Sequence, residues 1–121
     1  MATEKQKFFE EFNEAFMTGD LKFILNSVTE DVQWEMVGDD IIKGKNALEE
    51  ALGGMKTNDT FKLNIHHSIT HGLEAAVNGV ITFTTKVGED KKYGFCDVYK
   101  LDSFKSGKIK ELTSYVVEMT N

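Results

Sequence analysis

Phe8, Phe9, Phe12, Ala15 and Phe16 recur at the three- and four-residue steps of an α-helix, and Glu10, Glu11 and Asn13 fall opposite or flanking them. This stripe predicts a helix over residues 4–18, with its phenylalanines in a core. Gly19 can end it in a left-handed turn, and Asp20 can cap a short second helix over 21–27 that buries Leu21, Ile24, Leu25 and Val28. After a turn at 29–31 the period changes to two. Val32, Trp34 and Met36 then share one face of a short strand, and Gln33, Glu35 and Val37 share the other. Gly38, Asp39 and Asp40 form a loop. Gly44 opens a third helix over 45–52, with Ala47, Leu48, Ala51 and Leu52 inward, and Gly53-Gly54 stops it.

The second half reads as strands. Phe61, Leu63, Ile65, His67 and Ile69 alternate with Lys62, Asn64, His66, Ser68 and Thr70, and His71-Gly72 turns the chain. Val77, Gly79, Ile81, Phe83 and Thr85 are in phase along a strand over 75–87, and Gly88-Glu89-Asp90 makes a hairpin. The stretch YGFCDVYKL, residues 93–101, places Tyr93, Phe95, Asp97, Tyr99 and Leu101 on one face. A turn at Ser106-Gly107 leads to a last strand over 108–119, where Leu112, Ser114 and Val116 alternate with Ile109, Thr113, Tyr115 and Val117. Gly79 and Gly94, inside strands, suit sharp curvature or a bulge. The plan is α+β: three helices, then an antiparallel sheet curled into a cone around them.

Composition narrows the function classes. The chain has 121 residues, enough for one domain over 1–121. Its net charge of −6 argues against nucleic acid as a partner. All 14 basic residues are lysine, so no chemistry that needs a bidentate guanidinium is available. The one cysteine, Cys96, cannot form an internal disulfide. No apolar run approaches a membrane span, and the cytoplasm is the default expectation.

FNEAFMTGDLKFILNSVTEDVQWEMVG, IIKGKNALEEAL and DVYKLDSFKSGKIKELTSYVVE together resemble the nuclear-transport-factor-2-like (cystatin-like) superfamily, and within it the SnoaL-like and ketosteroid-isomerase-like branches. The resemblance implies the cone-shaped sheet and an internal pocket. It does not imply one activity, because this fold carries isomerases, cyclases, dehydratases, hydrolases and non-enzymes. Asp97 matches the acid that donates a hydrogen bond to the substrate oxyanion in the isomerases. Glu35 falls at or next to their proton-shuttling carboxylate, although it is out of phase with Trp34. Phe12 stands where they carry a tyrosine, so that hydroxyl is missing. Limonene epoxide hydrolases of this fold rely on an Asp-Arg-Asp set, which a chain without arginine cannot supply.

The residues themselves single out Asp97. A carboxyl group among Phe95 and Tyr99 must lose hydration or look into a polar cavity, and desolvation raises its pKa. His67 occupies the apolar phase of its own strand and is the second candidate, as a proton-transfer partner. Glu35 is the third, with Asp39 and Asp40 as rivals at the pocket mouth. Phe12, Phe16, Trp34, Phe83, Phe95, Tyr99 and Leu112 are the expected ligand walls, with Met36 and Met55 as further options. His66, His67 and His71 do not make a metal site, since adjacent strand residues point apart. Cys96 lies in the opposite phase, away from the pocket. No cofactor or metal is implied.

Two function classes follow. One is a cofactor-free acid/base isomerase, cyclase or dehydratase acting on an apolar carbonyl compound. The other is a non-catalytic module that binds a small apolar molecule or only dimerises. A homodimer is expected through an outer sheet face made of Ile109, Thr113, Tyr115, Val117 and Val98.

Overall fold

The computed structural model describes residues 3–53, 60–84, 87–105 and 107–119. Gly54, Met55, Thr85 and Ser106 lie outside the described residues. The chain runs α1 (Glu4–Thr18), α2 (Leu21–Asn26), β1 (Val28–Met36), β2 (Ile41–Lys43), α3 (Lys45–Gly53), β3 (Thr60–His71), β4 (Glu74–Thr84), β5 (Asp90–Leu101) and β6 (Ile109–Met119).

Helix α1 begins in a capping box. Thr3 accepts from the Gln6 amide, and the Gln6 side chain accepts from the Thr3 amide. It ends at Gly19, whose φ of 77° is left-handed. The next residue starts α2, with Asp20 Oδ1 accepting from Phe23 N. Phe9 and Phe12, both almost wholly buried, tie α1 to the sheet. Each stabilises the fold by about 1.5–3 kcal/mol through burial.

The six strands form a single sheet in the order β2-β1-β6-β5-β4-β3. The ladders from β3 through β6 are antiparallel, as alternation predicts, while β1 runs parallel to β6. Sequence reading supplies neither β2, which is only three residues long, nor that parallel pairing. The expected turn at 29–31 is instead the irregular start of β1, where the register with β6 shifts between Val28 and Gln33. In a flat sheet β1 and β3, four strand spacings apart, would be separated by about 19 Å. Here side chains from both line one cavity, so the sheet is strongly curled.

Two irregularities explain where strict alternation fails. In β3, Ile65 pairs with Gly79 and His67 with the very next residue, Asn78. His66 is therefore an inserted residue, and the strand's two faces exchange beyond it. In β6, Leu101 pairs with Ile109 but Lys100 with Glu111. Ile109 consequently turns into the core, fully buried, and is not part of the outer face expected for it.

Candidate active site

The cavity, about 360 Å³, lies between α1 and the concave face of the sheet. Its size falls within the range of small-molecule sites. Phe16 and Met17 of α1, Trp34 and Met36 of β1, Phe61 of β3, Ile81 and Phe83 of β4, Phe95 of β5, and Leu112 and Val116 of β6 give it apolar walls. Three polar residues interrupt them: Asn13, Asp97 and Ser114. Asp97 and Ser114 are cross-strand partners, which sets them side by side.

Asp97 reaches the cavity because β5 alternates without interruption, so Phe95, Asp97 and Tyr99 project from one face. Loss of hydration pushes its pKa up to about 6, and hydrogen bonds from Ser114 and Tyr99 partly oppose that rise. Tyr99 O–H donates to Asp97 Oδ2 over 3.2 Å, and Asn13 Nδ2 donates to the Tyr99 oxygen over 3.0 Å. Phe9 packs on the Tyr99 ring at a centroid distance of 4.5 Å, and Phe12 meets it edge-on. Burial, then the charge of Asp97, holds the Tyr99 phenol well above its ordinary pKa, so it stays a donor at neutral pH. On the cavity's other side Trp34 Nε1 donates to Ser114 Oγ over 2.9 Å.

Of the expected walls, Phe16, Trp34, Phe83, Phe95 and Leu112 line the cavity. Phe12 and Tyr99 do not. Both are buried behind it, and Tyr99 touches the site only through its hydroxyl. His67 is displaced altogether. The inserted residue turns it to the exposed side of the sheet, where its Nδ1 lies 3.0 Å from Asn78 Oδ1. Glu35 is also exposed, because no irregularity intervenes between it and inward-facing Trp34. Asp39 and Asp40 are exposed in their loop and line nothing. Cys96 faces away from the cavity, its thiol raised by burial and then by the charge of Asp97.

Asn13 and Ser114 did not emerge as site residues from the sequence, and each had left a signal. Asn13 follows Phe9 by four residues and precedes Phe16 by three, so it is a polar residue on the apolar stripe. Ser114 stands between Leu112 and Val116 in the same phase.

The family model described as the SnoaL-like domain matches residues 9–112. The chain belongs to that family. This SnoaL-like domain is similar in structure to a candidate SnoaL-like polyketide cyclase from Shewanella putrefaciens, with a TM-score of 0.82 at 14% identity over 95% of this chain and 80% of that one. It is also similar to an LEH-like epoxide hydrolase from M. tuberculosis, with a TM-score of 0.77 at 20% identity over 94% and 83%. A crystal structure of an NTF2-like protein from Cytophaga hutchinsonii gives 0.63 at 19% over 93% and 98%. At such identities these likenesses establish the nuclear-transport-factor-2-like fold and not a shared reaction. No curated protein matches the sequence. Among the described residues no helix is long and apolar enough to cross a membrane, and no group of acidic, histidine or cysteine side chains is placed to hold a metal ion.

Proposed function

We propose that this SnoaL-like domain binds a small, mainly apolar molecule carrying one carbonyl or related oxygen, and that Asp97 exchanges a proton with it. The observation that supports this is a single carboxyl group in an apolar cavity with a pKa of about 6. Near that pH both protonation states are populated. The neutral acid can donate to a ligand oxygen. The carboxylate can take a proton from the adjacent carbon. Cofactor-free isomerisation, cyclisation or dehydration would all use such a group. His67 and Glu35 have no part in it, since both lie outside the cavity.

The second reading is binding without turnover. It is favoured by the fact that Asp97 is the one titratable residue among the described cavity walls, so no separate base accompanies the acid. Calorimetry with a panel of small cyclic ketones, together with hydrogen–deuterium exchange at their α-carbons, separates the two. Asp97→Leu should weaken binding of an oxygenated ligand by about 1–3 kcal/mol, the usual loss for a buried hydrogen-bond partner. Asp97→Asn should retain most of the affinity and lose any exchange. Affinity unaffected by either substitution would refute the assignment of Asp97 as the ligand's polar contact.

The partner expected at the outer sheet face is a second copy of the chain. Val98, Tyr115, Val117 and Met119 are there, each 40–67% exposed. A face-to-face, two-fold dimer would cover them. Sedimentation at micromolar concentration should give a dimer, and Val117→Lys a monomer. A monomeric parent protein would end this proposal.

A further inference from the structure

Around the ionised Asp97, which can only accept, the hydrogen bonds run in one direction. The Phe9 carbonyl can only accept, so the Asn13 atom 2.8 Å from it must be the amide nitrogen. The second hydrogen of that nitrogen is directed at the Tyr99 oxygen, 3.0 Å away. Tyr99 already accepts there, so its own O–H goes to Asp97 Oδ2. On the opposite side the Trp34 indole N–H can only donate, so Ser114 Oγ accepts from it. The Ser114 hydroxyl hydrogen is then left for Asp97, its cross-strand partner. Two chains, each starting from a group that cannot reverse its role, converge on one carboxyl group.

We infer that Asn13 and Trp34, acting through Tyr99 and Ser114, are positioning residues that fix two donors on Asp97 and leave its cavity-facing lone pairs as the one route by which a proton arrives or leaves. The inference rests on the reading of Asp97 as the acid/base group and adds how that group is set. With both hydroxyl hydrogens turned toward Asp97, a proton on its carboxyl group is directed to the cavity side. The proton must be offered to whatever occupies the cavity, or taken from it. A ligand oxygen would therefore meet a donor from the protonated acid and an uncompensated acceptor from the carboxylate. This favours a neutral carbonyl or enol over a carboxylate ligand, whose charge would oppose that of Asp97.

The groups packed around Asp97 are few. Asn13 faces it from α1, Trp34 from β1, Val77 from β4 and Ser114 from β6, and none of them titrates. On its own strand Tyr99 and Cys96 do titrate, but burial raises both thiol and phenol away from neutrality.

Carboxyl-carbon NMR titration of the ligand-free protein tests the inference without any assay of activity. Removing a donor from a carboxylate disfavours its charged form. Tyr99→Phe and Ser114→Ala should each make Asp97 titrate about 0.5–1 pH unit higher than in the parent. Trp34→Phe should move it the same way by less, because the Ser114 hydroxyl is freed to rotate and the carboxyl keeps its donor only part of the time. Asn13→Ala should do likewise through Tyr99. A purely structural role for Trp34 or Asn13 would alter stability and leave the titration where it was, and that result would overturn the inference. If Tyr99→Phe does not fold, Ser114→Ala and Trp34→Phe carry the test. Upward shifts with no ligand bound by the parent would uphold the network and count against the proposed function. Unchanged titration with ligand binding intact would do the reverse.

Discussion

Asp97→Asn is expected to be more stable than the parent at pH 7, by roughly 2–3 kcal/mol, and no more stable near pH 3. The reason is the raised pKa. Asp97 titrates at about 6 in the folded protein against 3.8 for an unhindered side chain. Between those values the folded state binds more protons than the unfolded state, so stability falls as pH rises. The deficit builds through that window and is complete once the pH exceeds the folded value. Asparagine carries no charge to desolvate, and its carbonyl oxygen can still accept from Tyr99. In thermal unfolding the difference at pH 7 should amount to roughly 10 °C for a domain of this size. The measurement is a pair of stability curves from pH 3 to 8. A parent that becomes more stable relative to the Asp97→Asn variant as pH rises through 4–7 would show that this carboxyl is not desolvated. On the proposed function, the residue trades stability for a proton held near neutral pH.

Gly79→Ala should be the most damaging single methyl group in the described structure. A Cβ at that position would lie 2.1 Å from the Asn64 carbonyl oxygen and 2.9 Å from Ile65 Cα. Both are backbone atoms, so the β3–β4 ladder would have to part at the inserted residue. The expected loss exceeds about 4 kcal/mol, a large share of the stability of an ordinary domain. Gly94→Ala is the control. Its nearest neighbour is the flexible Met119 side chain, with Sδ at 3.7 Å, and it should be close to neutral. Urea unfolding of the two variants decides the matter. A Gly79→Ala protein within about 1 kcal/mol of the parent would mean that the close approach is easily relieved.

The same glycine shows what the sequence could and could not reveal. Where a strand is regular, phase alone places a side chain, and Asp97, Phe95, Trp34 and Leu112 were legible for that reason. Where one residue is inserted, the assignments on its two sides no longer share one phase. Unbroken phase puts His67 in the cavity and Ile109 on the outer face, and the insertions reverse both. Gly79 marks the first of those insertions, but it sits on the neighbouring strand and its partner is set by register, which a single sequence does not carry. Resemblance points to Glu35 against its own phase, and the phase prevails. The helices were the easier half, since the Gly19 and Asp20 signals act locally. Asn13 is hidden because a helix stripe is judged by its apolar members, and its partner is a tyrosine 86 residues away.

The parallel pairing of β1 with β6 has a consequence for how the domain is made. Among the described residues, the only ladder partner of β1 apart from the three-residue β2 is β6, which comes last in chain order. On a ribosome, Trp34 therefore waits for Ser114, which is made 80 residues later. The antiparallel strands β3 to β5 can zip up locally while β1 cannot, so joining the two is a step of high contact order and should govern the folding rate. The surroundings of Asp97 are completed in that step, and a chain released before it would carry a sheet with one wall of the cavity missing.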